Sequence, residues 1–102
     1  MATHRFRSPL WEHTEGEPGS WHFLTVSAEL SEDLRAEYGP SEGFGSIRVH
    51  ACIGATQWDT SLFPETATGG FVLPVKKAVR RAEGLEVGQS CDVVLELRSR
   101  TA

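Results

Sequence analysis

The fold is decided by Phe44-Gly45-Ser46-Ile47-Arg48-Val49-His50-Ala51-Cys52-Ile53-Gly54-Ala55-Thr56-Gln57-Trp58-Asp59-Thr60-Ser61-Leu62-Phe63-Pro64. Ile47, Val49, Ala51 and Ile53 alternate with Ser46, Arg48, His50 and Cys52, the period of two that puts one strand face in a core and the other outside. This predicts a strand over Phe44–Ile53. Gly54-Ala55 has the character of a tight hairpin turn, after which the chain returns through Thr56, Trp58, Thr60 and Leu62. Pro64 is expected to end the returning strand, because proline donates no ladder hydrogen bond.

Upstream, Phe6–His13 and Trp21–Ala28 carry the aromatic and β-branched residues of strands. The acidic, turn-rich Thr14–Ser20 separates them as a hairpin-like loop. Trp21 and Phe23 share one face, Leu24 and Val26 the other, which predicts a strand covered on both sides. A short helix is expected next. Ser31 is its predicted cap, Glu32 and Asp33 sit near its start, and Leu30, Leu34 and Tyr38 line one face. Gly39-Pro40 stops it, and a glycine-rich loop leads to Gly45.

Downstream of the hairpin, Glu65–Gly70 reads as a loop and Phe71-Val72-Leu73 as a brief strand. Pro74 is expected to open a second helix with the stripe Val75, Ala78, Val79 and Ala82, and Gly84 to cap it. Val87-Gly88-Gln89 turns into a last strand, Cys91–Leu97, with Cys91, Val93, Leu95 and Leu97 on one face. About six short strands and two short helices in one domain, 1–102, predict an all-β fold. The expected architecture is a small closed or nearly closed antiparallel β-barrel, which leaves few exposed edges.

Composition agrees with a globular domain. The chain has 102 residues, 39% hydrophobic and 24% charged, with a net charge of −4. No apolar run approaches the roughly 18 residues of a membrane helix. The first eleven residues lack the apolar stretch of a secretory signal, and two cysteines cannot staple a secreted scaffold, so a cytoplasmic location with two free thiols is expected.

Ile47-Arg48-Val49, Trp58-Asp59-Thr60-Ser61-Leu62-Phe63-Pro64, Leu73-Pro74-Val75-Lys76-Lys77-Ala78-Val79-Arg80 and Gly84-Leu85-Glu86-Val87-Gly88 together resemble the bacterial DUF1905 family, a domain of unknown function. Trp21-His22-Phe23 resembles its aromatic early strand, and the likeness runs from about Phe6 to Leu97. The resemblance implies a small β-barrel with short helices, found in bacteria and sometimes fused to other domains. It implies no established activity. Gln89 departs from it, since the family often has an acidic residue after the glycine. The last third is also similar to the swapped-hairpin barrels of AbrB-type transcription factors, which place a Leu-Pro-x-x-x-Arg segment before a Gly-Leu-x-x-Gly turn.

The second helix concentrates positive charge. Over Pro74–Glu83, four cations (Lys76, Lys77, Arg80 and Arg81) against Glu83 leave +3, so the remainder of the chain carries −7. Lys76 and Arg80 lie one turn apart, as do Lys77 and Arg81, a spacing able to hold a carboxylate or phosphate. A solvated face balancing the acidic loops is the plainer reading; the resemblance adds weight to Lys76, Lys77 and Arg80, which match its motif. Only one of Thr60 and Ser61 can face inward. Trp58 shares a face with Thr60, so it can wall a pocket beside that hydroxyl or simply fill the core. His4, His13, His22 and His50 show no metal-ligand spacing, and His50 with Cys52 makes only a pair, so neither a metal nor a cofactor is expected. No spacing places a histidine beside Asp59 for a serine triad, and no GxSxG turn is present.

The expected function is a binding module for a small polar or anionic ligand or a peptide, with Trp58, Thr60, Ser61, Lys76, Lys77 and Arg80 as its ligand-binding residues. Two alternatives are a dimeric AbrB-like DNA-binding protein and a metal-independent enzyme acting on an anionic small molecule. The net acidity argues against nucleic acid. A monomer and a homodimer both fit a chain of this size.

Overall fold

A computed structural model describes residues 3–13, 21–38, 46–65 and 69–97. The elements run in the order β1 (Thr3–His13), β2 (Trp21–Thr25), α1 (Ala28–Tyr38), β3 (Ile47–Ile53), β4 (Thr56–Glu65), β5 (Gly70–Pro74), α2 (Lys77–Glu83) and β6 (Ser90–Leu97). The acidic loop 14–20, the helix stop at Gly39-Pro40 with the loop to Gly45, and residues 66–68 lie outside the described residues.

The β3–β4 hairpin forms as its alternation dictates. Ile47, Val49, Ala51 and Ile53 are buried, Arg48 is exposed, and Ile53 pairs with Thr56 across Gly54-Ala55. Gly54 has φ +59° while Ala55 is not at positive φ, the pattern of a turn with glycine at its first central position. A second constraint acts on Gly54: a β-carbon there would collide with the Glu83 carboxylate. That carboxylate accepts a hydrogen bond from Thr56 Oγ1 at 2.6 Å, tying the end of α2 to the start of β4.

The strands close into an antiparallel barrel in the order β1-β2-β5-β4-β3-β6, with β6 returning to β1. Closure depends on two strands that change partner part-way. β1 pairs with β6 over Thr3–Pro9 and with β2 over Leu10–His13. β4 pairs with β3 over Thr56–Leu62 and with β5 over Phe63–Glu65. Inside lies one apolar core in which Leu10, Leu24 and Leu73 meet in a single cross-strand row. Leu30 and Leu34 of α1 join it.

Four local expectations are corrected. β2 ends at Thr25, where its pairing with β5 ends, and α1 begins at Ala28. Ser27, not Ser31, caps the helix: the Leu30 N–H donates to Ser27 Oγ at 3.3 Å. Ser31 sits one turn later, 2% exposed, and its hydroxyl has no partner among the described residues. Glu29, not Glu32 or Asp33, is the acidic residue of the first turn. Next, β4 runs through Pro64 to Glu65. Its pairing with β3 has stopped at Leu62, so Pro64 has a strand neighbour on one side only and its missing N–H breaks no ladder.

Third, Pro74 closes β5 opposite Phe23 instead of opening α2. The Val75 N–H donates to the His22 carbonyl at 2.9 Å, which prolongs the ladder and delays the helix to Lys77. The expected stripe therefore shrinks to Val75 and Val79, while Ala78 and Ala82 are exposed. Gly84 caps the helix in the left-handed region as expected, at φ +63°. Last, the outer face of β2 is only partly covered: Phe23 is half-buried and Trp21 is 56% exposed, whereas His22, Leu24 and Val26 face inward. The strand buried on both faces is β5, whose outward Val72 is buried yet separate from the core.

Both cysteines are free thiols. Cys52 lies opposite Val94, and Cys91 lies opposite Ser8 on the inward face.

Urea unfolding separates the two serines. Ser27→Ala is expected to cost about 1 kcal/mol, the usual loss of a side-chain cap, whereas Ser31→Ala removes an unpaired hydroxyl and should be neutral or stabilising. Gly54→Ala should destabilise by about 1–2 kcal/mol, since the left-handed backbone disfavours any β-carbon, with added crowding from Glu83.

Candidate functional site

A cleft of about 610 Å³ opens between the start of β2, the middle of β4 and the segment from Pro74 into α2. Its walls include Trp58, Thr60, Lys76, Lys77 and Arg80. Five of the six residues expected to bind a ligand therefore converge, although the β4 group and the α2 group are well apart in the chain. The sixth, Ser61, does not line the cleft; it points to the opposite side of β4 from Thr60, paired with Arg48. Trp58 is 8% exposed, so it both belongs to the core and presents an edge to the cleft.

Trp21, His22, Asp59, Pro74 and Val75, which are not among the expected ligand-binding residues, complete the lining. His22 is legible in retrospect, because the alternation that buries Leu24 and Val26 places it on the same face.

The cations differ in their freedom. Lys76 and Lys77 are exposed, whereas Arg80 is half-buried and folded back along its own segment. Its Nε donates to the Val75 carbonyl at 3.2 Å and its Nη1 lies 3.4 Å from His22 Nε2. Among the described residues none of the three forms an ion pair with a carboxylate. All three line the cleft and make the potential there more positive.

His22 is held below the ordinary histidine pKa, first by burial, which penalises the charged ring, and second by the Arg80 guanidinium. Glu12, with Oε2 3.9 Å from Nε2, opposes both without overcoming them. A neutral ring accepts from Arg80 at Nε2 and carries its proton on Nδ1, which is buried and has no partner among the described residues.

Asp59 corrects a second expectation. The two-residue turn at Gly54-Ala55 sets the register so that His50 and Asp59 face each other, and His50 Nδ1 lies 2.8 Å from Asp59 Oδ1. A histidine does stand beside Asp59. Its Nε2, the nitrogen that would take a serine proton, meets Gln57 Oε1 at 2.9 Å instead. The pair therefore orients the Asp59 carboxylate at the rim and makes no triad with Ser61. The signal was present: once the turn length is known, residues equidistant from it must oppose one another.

A second cleft, of about 420 Å³, adjoins the first and shares Trp21 and Pro74 with it. Phe23, Phe63, Val72 and His13 complete its walls. Trp11, Phe23 and Trp21 form a run of ring contacts on this outer face, with centroids 5.1 Å and 6.4 Å apart.

The model of the DUF1905 domain, a domain of unknown function, matches residues 6–95. The chain belongs to the DUF1905 family. No curated protein matches it. Every residue lining the two clefts lies inside the DUF1905 match. Gln89, the departure noted in the sequence, stabilises the turn before β6 through its Oε1, which accepts the Glu86 N–H at 3.2 Å. A carboxylate at this position could accept the same bond. No helix among the described residues is long and apolar enough to cross a membrane.

The buried His22 makes stability pH-dependent in a definite direction. Its folded pKa lies below the ordinary 6.5, so the unfolded chain binds the proton first as pH falls. Its contribution is complete above pH 6.5 and is lost on acidification toward the folded pKa. Urea midpoints at pH 7.5 and 5.5 should show a smaller acid-induced drop for His22→Gln than for the parent protein; an equal drop would remove His22 as the cause.

Proposed function

We propose that this domain binds a small organic anion in the cleft between β2, β4 and α2. The observation that carries the reading is the set Lys76, Lys77 and Arg80, unpaired with carboxylates among the described residues, in a cavity walled by Trp21 and Trp58. Tryptophan side chains exclude water from one side of a ligand, which strengthens a charge-assisted hydrogen bond made from the other. Arg80 is held in place by the Val75 carbonyl before any ligand arrives, so less side-chain freedom is lost on binding. Thr60 supplies a neutral hydroxyl on the facing wall, able to donate to or accept from a polar group. Asp59, turned toward His50, repels a dianion placed close to β4 and favours a head group near α2.

Anion binding and protonation of His22 are linked on this reading. An anion beside Arg80 offsets the charge that disfavours imidazolium, so binding should tighten as pH falls through the histidine range.

Native mass spectrometry of freshly purified protein, against its denatured mass, should show a non-covalent adduct lost on denaturation. Titration with inorganic phosphate followed by amide chemical shifts gives a second readout. Shifts should cluster at Trp58–Thr60 and Val75–Arg80, and Lys76→Ala or Arg80→Ala should weaken binding about tenfold each, the size of one lost charge-assisted bond. If neither phosphate nor acetate moves these resonances at low salt, the proposal fails.

A further inference from the structure

The two clefts are one surface with two chemistries, and from this we infer the class of ligand: an amphiphilic organic anion. Its carboxylate or phosphate head meets Lys76, Lys77 and Arg80, and its apolar body crosses Trp21 and Pro74 to lie on Phe23 and Phe63. This inference rests on the anion-binding reading and narrows it.

The argument begins with the outer face of the sheet. An antiparallel strand exposed on one side normally places polar residues there. Here the outward positions of β2, β5 and β4 carry Trp21, Phe23, Val72, Pro74 and Phe63. Register aligns Phe23 with Pro74 and Val72 with Phe63, so these apolar side chains stand as cross-strand pairs on one face. Trp21 remains 56% exposed and Phe63 45% exposed. The barrel already buries a full core inside, and Trp21 and Phe63 on this second surface stay largely uncovered. The exposed parts of Trp21 and Phe63 leave apolar area available to whatever covers it.

The position of the surface selects the occupant. Trp21 and Pro74 belong to both clefts, so a molecule seated on Phe63 and Phe23 runs directly toward Lys76 and Arg80. The apolar end holds one polar side chain, His13, and the other end holds three cations that pair with no carboxylate among the described residues. Each cleft has the volume of a small-molecule site. An apolar body joined to an anionic head satisfies both ends at once; a simple anion leaves the aromatic end in water, and a neutral apolar molecule leaves the cations unused.

The test compares four probes by calorimetry, with tryptophan fluorescence as a second readout: acetate and inorganic phosphate (head only), phenylbutyrate (head and body) and neutral phenylbutanamide (body only). Phenylbutyrate is expected to bind at least about tenfold tighter than acetate and than the amide, a difference of about 1.4 kcal/mol. Phe63→Ala should reduce phenylbutyrate to the acetate level while leaving phosphate binding unchanged; Arg80→Ala should weaken both. If phosphate and acetate bind but phenylbutyrate gains nothing, the amphiphile is overturned and the anion site stands. Equal binding of the amide also overturns it, because the head is then irrelevant. If no anion binds, both readings fall. A dimer in sedimentation equilibrium that Phe63→Ala dissociates would assign the aromatic face to a second copy of the chain and overturn the inference.

Discussion

Everything in this molecule depends on two strands that change partners. A six-stranded sheet of this size closes only if some strands bend enough to serve neighbours on different sides. β1 does so between Pro9 and Leu10, and β4 does so between Leu62 and Phe63. The bends carry the ladder around the barrel, so β1 and β4 each keep a paired neighbour along their whole length. They also explain Pro64, which sits just past the point where β4 leaves β3. Inside the bends, Leu10 and Leu62 are among the fully buried side chains, so each corner is packed from within as it forms.

The cleft is a by-product of the same geometry. Past Pro74 the chain keeps one more ladder bond, from the Val75 N–H to the His22 carbonyl, before it turns into α2. That bond brings the start of the basic segment against β2. Arg80 then reaches back to Val75 and His22, so the backbone and the guanidinium are held by neighbouring parts of one arrangement. Thr56 and Glu83 secure the far end of α2 to β4. A seven-residue helix is too short to hold itself in water, and these attachments, with buried Val75 and Val79, keep it in place. His22 accepts an unfavourable position at this junction: burial and Arg80 keep it neutral, and its Nδ1 stays without a partner among the described residues.

The two faces of the β2–β5–β4 sheet do different work. The inner face supplies ordinary core leucines and one histidine at the mouth. The outer face collects aromatic side chains without any covering element among the described residues. Charge and apolar area meet where Trp21 and Pro74 are shared, and an amphiphilic ligand is the reading that uses both. The pairing of Asp59 with His50 places a carboxylate at the rim of the cleft.

The barrel was legible because period-two alternation is a local property. Ile47–Ile53 and Cys91–Leu97 bury the residues that alternation selects, and glycine at positive φ marks Gly54 and Gly84. The basic segment and Trp58 with Thr60 were legible as chemistry for the same reason: their residue types stand in the chain. Tertiary structure decided what local rules leave degenerate. Ser27 and Ser31 are equal as caps until Leu30 and Leu34 dock into the core and set where the helix begins. Pro74 suits a helix start or a strand end, and the bond between Val75 and His22 settles which. Thr60 and Ser61 both carry hydroxyls, and only the register of the β3–β4 ladder turns one toward the cleft. The meeting of Trp21 and His22 with Lys76 and Arg80 lay beyond local reading altogether, because it joins segments more than fifty residues apart. Sequence by itself determined which residues could be buried and which could carry charge; closure of the barrel decided which of them share a surface, since contact across a sheet is set by register and bending, which no short window of residues contains.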